Sequence, residues 1–221
     1  GNTAIIKPAE QSSAIGFALF QHMQEVGFPK DVVHFLPGRG EVVGEALTSH
    51  PDVSLVCFTG SKDVGLNILQ KAGPTNSNQK MVKTCIIEMG GKNAIIVDSD
   101  ADLDEAVAGV VYSAFGFQGQ KCSACSRVIV IEALYERFLH RLVEATRSLE
   151  VRAATDPLCD VAPVVDAEAQ QRIQETIRNA KQRGLQVAFA DEPPSSPGYF
   201  VPPTVFSEVD PKDPIAQEEI F

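Results

Sequence analysis

The sequence predicts an α/β protein, and three observations carry that prediction. Short apolar, largely β-branched runs alternate with stretches whose apolar residues recur at helical spacing. Glycine and proline fall mostly at the junctions between these runs. No apolar run approaches the length of about 20 residues that a membrane-spanning helix needs. Over the first 90 residues, strands alternating with helices of this length imply βαβ units and a parallel sheet.

Each element has its own signal. Thr3 to Ile6 is a β-branched run closed by Lys7-Pro8, and proline suits a strand end better than a strand interior. Ser12 or Ser13 is placed to cap a helix whose apolar face uses Ile15, Ala18, Leu19 and Val26, ending near Gly27 and Pro29. Val32 to Leu36 reads as the next strand, and Pro37-Gly38-Arg39-Gly40 leads into a helix through Val43 and Leu47. Val53 to Phe58 is a third strand, after which Ser61 starts a helix carrying Val64, Ile68 and Ala72. Gly73 to Lys80 is polar, rich in breakers, and reads as a loop.

Cys85 to Met89 and Asn93 to Val97 read as strands flanking Gly90-Gly91. From Asp102 onward Leu103, Ala106, Val107, Val110 and Val111 share one helical face, with Asp102 to Glu105 acidic at its N-terminus. Val128 to Ile131 is a strand, and Leu134, Phe138 and Leu142 mark a helix. Ile173, Ile177 and Ala180 mark another helix, ending at Gly184. Val187 to Ala190 is a short strand before the proline-rich loop Glu192 to Gly198, and Phe200 to Phe206 is broken by Pro202-Pro203. There is no internal repeat and no low-complexity tract.

The totals narrow the function classes. A chain of 221 residues suggests one large domain or two smaller ones. Hydrophobic residues at 44% and charged residues at 22% are ordinary for a globular protein. A formal charge of −10 disfavours nucleic acid and anionic membranes as partners. Cys57, Cys85, Cys122, Cys125 and Cys159 are odd in number and irregularly spaced, which favours free thiols and a reducing compartment. The expected location is cytoplasmic, or the mitochondrial matrix in a eukaryote.

The chemistry concentrates in Gly119-Gln120-Lys121-Cys122-Ser123-Ala124-Cys125-Ser126-Arg127. A thiol at its reference pKa of about 8.5 is only a few per cent thiolate at neutral pH, yet strongly nucleophilic. Lys121 and the backbone N–H groups of a tight glycine-rich turn are placed to raise that fraction. An arbitrary cysteine is more often a small buried hydrophobe, but Gln, Lys and Ser are not core neighbours. Cys122 and Cys125 also form C-x-x-C. A zinc site needs about four ligands, and no second pair of cysteines or histidines lies at useful spacing. A thioredoxin-like couple usually opens a helix after a strand, whereas this pair sits between a helix and a strand.

Glu88, in Ile87-Glu88-Met89-Gly90-Gly91-Lys92, follows an apolar run and is expected to be partly desolvated. Desolvation raises a carboxyl pKa and suits a general base, although a surface glutamate at a strand end is the commoner case. Gly60-Ser61 follows a strand and opens a helix, which offers a phosphate free N–H groups and a positive helix end. Most such junctions are simply helix caps. Gly38-x-Gly40-x-x-x-Gly44 is not the dinucleotide fingerprint, because its third glycine is one residue late. His22, His34, His50 and His140 fall in no ligand spacing, and no metal site is expected.

Taken together, Phe58-Thr59-Gly60-Ser61, Glu88-Met89-Gly90-Gly91-Lys92 and Gly119-Gln120-Lys121-Cys122 resemble the aldehyde dehydrogenase superfamily in order and spacing. The resemblance runs from Gly1 to Phe221. It is strongest to the branch that oxidises glutamate γ-semialdehyde, through Phe115-Gly116-Phe117-Gln118-Gly119-Gln120-Lys121-Cys122-Ser123-Ala124, Gly198-Tyr199-Phe200 and Ile215-Ala216-Gln217-Glu218-Glu219. It implies the later half of a Rossmann-like NAD-binding domain over residues 1–88 and the first part of an α/β catalytic domain over residues 89–221. Cys122 would be the nucleophile and Glu88 the base that activates the deacylating water. Lys7 and Glu10 would meet the adenosine ribose, a carboxylate there favouring NAD over NADP. Gly40, Gly60 and Ser61 would contact the rest of the cofactor. Glu219 and Phe221 would hold the nicotinamide ribose and flank its ring, although as sequence alone Glu218-Glu219 reads as a solvated acidic end. Ser123 would help bind the substrate carboxylate.

The implied reaction is NAD-dependent oxidation of a small-molecule aldehyde by an enzyme expected to form a homo-oligomer. An oxyanion donor supplied by asparagine in the family falls outside the 221 residues, so the segment is expected to be an inactive internal piece on its own. Two other readings stay open: a dehydrogenase for another aldehyde, and a folded piece without catalysis.

Overall fold

A computed structural model describes residues 1–75 and 77–221, and the chain divides into two compact units, Gly1–Met89 and Gly90–Phe221. Among the described residues no helix is long and apolar enough to cross a membrane.

In the first unit the order is β1 (Ala4–Ile6), α1 (Ser13–Glu25), β2 (Val33–Phe35), α2 (Glu45–Ser49), β3 (Leu55–Thr59), α3 (Lys62–Ala72) and β4 (Thr84–Glu88). β1 pairs with β2 and β3 with β4, both in parallel, so each pair is joined through a helical crossover. A π-helical turn over Gly40–Gly44 feeds α2, where the sequence predicts a single helix through Val43 and Leu47. The predicted loop at Gly73 to Lys80 separates α3 from β4, with Asn76 outside the described residues.

α1 corrects two expectations. Neither Ser12 nor Ser13 caps it; both hydroxyls instead donate back to the Ala9 carbonyl, at 3.4 and 3.1 Å, around a 3-10 turn over Glu10–Ser12. The predicted apolar face is also largely outside: Ile15, Leu19 and Val26 are exposed. The helix packs through Ser13, Gly16, Phe20 and Met23, a different stripe at helical spacing. The choice follows from Phe35 on β2, whose ring meets Phe17 and Phe20 at 5.6 and 5.8 Å. Gly16 lets this approach happen, since a Cβ there would meet Pro8 and Phe35 at 3.3 and 3.4 Å.

α3 starts where Ser61 accepts the Val64 N–H, and it lies on the face of β4 that carries Ile87. Strand alternation then sends Thr84, Ile86 and Glu88 to the opposite, exposed face.

The second unit runs β5 (Asn93–Val97), α4 (Leu103–Phe115), β6 (Cys125–Val130), α5 (Glu132–Arg147), α6 (Ala167–Gln182), β7 (Gln186–Ala190), β8 (Thr204–Ser207) and α7 (Pro214–Gln217). β5 and β6 are parallel, and β7 and β8 are antiparallel. Asp102 caps α4 by accepting from Asp104 and Glu105, as its position before an acidic first turn suggests. Leu103, Val107 and Val110 bury against Val97, Phe138 and Leu142 in one cluster. Burying a side chain such as Phe138 contributes about 1.5–3 kcal/mol. Val164, Ala169 and Ile173 form a second cluster, with Ile220 packed against it. β6 begins three residues earlier than predicted, so Cys125 opens a strand.

Candidate functional site

The segment between α4 and β6 carries Cys122, and its backbone is unusual. Phe117 and Gln118 adopt left-handed conformations, with φ of 56° and 57°, and Gly119 continues them at 68°. Left-handed backbone costs a non-glycine residue about 1–2 kcal/mol and persists only where surrounding contacts impose it. Those contacts are present. Gln120 N–H donates to Phe117 O at 3.0 Å and Lys121 N–H to Gly119 O at 2.9 Å. The Gln120 side chain accepts the Val165 N–H at 3.1 Å. With its carboxamide oriented to pair both ends, Gln118 accepts from Ala162 N at 3.1 Å and donates to Phe117 O at 3.2 Å.

A tight turn follows, closed by Ala124 N–H donating to Lys121 O at 3.0 Å, with Cys122 and Ser123 at its centre and both exposed. The central N–H groups of such a turn take no part in its closing bond. Asn93, the first residue of β5, donates its carboxamide to the Cys122 carbonyl at 2.7 Å and to the Ala124 carbonyl at 3.1 Å. Cys125 N–H donates to the Ser113 hydroxyl at 3.0 Å.

The two cysteines of C-x-x-C are thus divided in environment. Cys122 is exposed, whereas Cys125 is buried, gives its S–H to the Arg127 carbonyl, and has its thiol pKa pushed up by burial. Both thiols are free, and among the described residues no group of three or more His, Cys, Asp or Glu side chains is placed to hold a metal. The Lys121 ammonium lies 5.2 Å from the centre of the Tyr112 ring, a cation–π contact.

Glu219 lies against the glycine pair. Gly91 N–H donates to its carboxylate at 3.3 Å, and a Cβ on Gly90 would stand 1.8 Å from a Glu219 oxygen. Only a residue without a side chain permits that approach. Lys92, half-buried beside them, has its pKa lowered by burial and by Arg127, while Glu219 and Glu218 pull the other way. Phe221 is exposed at a φ of 63°, and Arg172 donates to the Ile220 carbonyl just before it.

In the first unit Lys7, Glu10 and Gly40 come together. The Lys7 ammonium donates to the carbonyls of Pro8 and Gly38 at 2.6 and 3.0 Å and sits 3.8 Å from the Glu10 carboxylate. Gly40 N–H donates to Glu10 at 2.6 Å. The backbone N–H groups of Glu10 itself and of Gly40, with Lys7 and Arg39 adding charge, hold the Glu10 carboxyl below its usual range. Gly60 ends β3, its N–H donating to the Glu88 carbonyl at 3.1 Å, and Ser61 caps α3. Glu88 departs from expectation: it is exposed, because the two-stranded pair leaves its face uncovered, so the partial desolvation read from the sequence is absent.

Sequence reasoning missed Asn93, Ser113, Gln118 and Gln120 as supports of the Cys122 segment. Amide and hydroxyl side chains of this kind bond across long sequence separations, and neither periodicity nor motif spacing marks them.

Comparison with known proteins adds a family. Residues 1–221 match the profile described as "Aldehyde dehydrogenase family". A 1-pyrroline-5-carboxylate dehydrogenase of Geobacillus thermodenitrificans is 43% identical over 221 residues, covering all of this chain and 43% of that protein. The 1-pyrroline-5-carboxylate dehydrogenase 2 of Bacillus subtilis is also 43% identical, over 223 residues and the same share. The chain therefore spans less than half the length of these relatives. Among solved structures, proline utilization A from Bdellovibrio bacteriovorus superposes with a TM-score of 0.96 at 51% identity, over 99% of this chain and 23% of that one. A Thermus 1-pyrroline-5-carboxylate dehydrogenase with bound NAD superposes with a TM-score of 0.94 at 46% identity, over 100% of this chain and 42% of that one.

Proposed function

The chain belongs to the aldehyde dehydrogenase family, and from that premise we propose that the protein carrying it oxidises L-glutamate γ-semialdehyde, the open form of 1-pyrroline-5-carboxylate, to glutamate with NAD. The observation that carries this reading is Cys122 at the exposed centre of a braced turn, beside backbone N–H groups that the turn itself does not use. The names of the relatives above supply the substrate.

The residues present suit the cofactor. Glu10 is an ionised carboxylate held beside Lys7 and Gly40, able to accept from a ribose diol and unfavourable to a 2′-phosphate. The Gly60-Ser61 junction presents the start of α3, whose unpaired N–H groups suit a phosphate. Gly90 and Gly91 let the Glu219 carboxylate approach the backbone closely, and we assign Glu219 and Phe221 to the nicotinamide riboside, as the family resemblance implies. Bound NAD supplies the hydride acceptor.

The Cys122 thiolate attacks the aldehyde carbon, and the negative charge that develops on the aldehyde oxygen is met by the Cys122 N–H. After oxidation the acyl group is a thioester on Cys122. Glu88 takes a proton from the water that hydrolyses it, releasing the carboxylic acid and the free thiol. Ser123 bonds the substrate's own carboxylate.

Substrate choice tests the reading. A site built to hydrogen-bond a group rejects an analogue lacking it far more strongly than one lacking a methylene. The whole protein should therefore have a higher kcat/KM for the semialdehyde than for propanal, and Ser123→Ala should raise KM for the semialdehyde much more than for propanal. Equal effects on both would mark a general aldehyde dehydrogenase.

A further inference from the structure

We propose that Asn93 is a positioning residue for the nucleophile turn: by holding the Cys122 carbonyl it locks the Cys122–Ser123 peptide against rotation and so fixes the thiol and the Ser123 N–H. The inference rests on Cys122 being the nucleophile.

A peptide is planar, and in the trans form its N–H points opposite to its C=O. Fixing one therefore aims the other. The peptide between Lys121 and Cys122 is fixed by the turn itself, since the Lys121 carbonyl accepts from Ala124 N–H. The peptide between Ala124 and Cys125 is fixed from both sides, by Asn93 on the carbonyl and by Ser113 on the N–H. Between them lies the Cys122–Ser123 peptide, the central one of the turn. The common turn types differ mainly by a half-rotation of this central peptide, and the closing bond resists that rotation little. The Asn93 carboxamide at 2.7 Å from the Cys122 carbonyl supplies the missing constraint. Rotation would break this bond, swing the Ser123 N–H through the loop, and change the backbone angle that sets the Cys122 side chain.

Asn93 is itself placed for the task. The β5–β6 register shifts between Asn93 and Ala94, which pair with Cys125 and Arg127, leaving Ser126 as the extra residue of a bulge. Bulges re-aim side chains at strand ends. Here the Ser126 hydroxyl donates to the Asn93 carbonyl at 3.3 Å and ties the bulge to the residue it redirects.

Asn93→Asp in the whole protein tests the inference, because the variant keeps the shape but replaces the donor with an oxygen that faces two carbonyls. Turnover of the semialdehyde should fall by about tenfold or more, because rotation of this peptide misaims the Cys122 thiol at the bound aldehyde, while KM for NAD changes less than about twofold. Alkylation of Cys122 by iodoacetamide arriving from solution requires no alignment with a bound substrate and should stay within about threefold. If the new charge unfolds the protein, Asn93→Ser, small and neutral at this exposed site, is read against the same limits. A kcat within twofold of the unmodified protein, or losses of turnover and alkylation that run in parallel, would overturn the inference. Cys122→Ala separates the two ideas. An active Cys122→Ala enzyme removes the nucleophile assignment itself, whereas an inactive one beside a normal Asn93→Asp removes only the role of Asn93.

Discussion

Glu10 and Gly40 are thirty residues apart, yet the Gly40 N–H donates to the Glu10 carboxylate at 2.6 Å and joins the 3-10 turn before α1 to the π-helical turn after β2. The bond also sets a pH dependence. Because pairing lowers the folded-state pKa of Glu10 below its ordinary 4.5, the contact is intact above that value and is lost as pH falls through the lower one. The Gly40 amide proton should therefore titrate in an NMR pH series with a midpoint below 4.5. A midpoint at or above that value would show that the bond is not kept in solution.

The same carboxylate should set cofactor choice. The whole protein should use NAD with a higher kcat/KM than NADP, and Glu10→Gln should narrow the gap by weakening repulsion of a 2′-phosphate. A preference for NADP in the unmodified protein would mean that Lys7 dominates this corner.

Thiol labelling should follow environment. Iodoacetamide should modify Cys122 first and Cys125 last, since burial pushes the Cys125 thiol up and shields it. Cys57 is exposed as well, which makes it the informative control. Peptide mapping that finds Cys57 labelled ahead of Cys122 would remove the argument for an activated turn.

Two glycines should answer differently to alanine. A Cβ on Gly65, buried in α3, would stand 2.8 Å from both Ile87 and the Met89 sulfur. Overpacking of that kind costs about 1–3 kcal/mol, partly offset by about 1 kcal/mol of helix propensity. Gly65→Ala should therefore lower the melting temperature. At Gly90 the clash is with the mobile end of Glu219, which can swing aside, so Gly90→Ala should leave stability within about 0.5 kcal/mol while breaking the Glu219–Gly91 bond. Thermal melts of both variants check the contrast, and equal losses would contradict it.

Strands and helices were legible where one physical signal dominated. Asn93 to Val97, a short apolar run after Gly90-Gly91, is a strand with the bounds its sequence predicts, and the acidic residues Asp102 to Glu105 mark the start of α4. α1 was not legible in this way, because it carries apolar residues on more than one face and a ring on β2, Phe35, decides which face packs. The motif around Cys122 stood out for its small and polar neighbours, but its left-handed backbone did not, since Phe117 and Gln118 are not residues that favour that region. Glu88 shows the limit of reading neighbours along the chain. The exposed side of a two-stranded pair receives its carboxylate.

NADH formation from L-glutamate γ-semialdehyde, measured on the whole protein and on its Cys122→Ala variant, tests the central claim most directly. The unmodified protein should produce NADH in proportion to semialdehyde consumed. Cys122→Ala should abolish that turnover while still binding NAD with unchanged affinity, because the cofactor contacts assigned here do not include the thiol. Sustained NADH formation by Cys122→Ala would contradict the account.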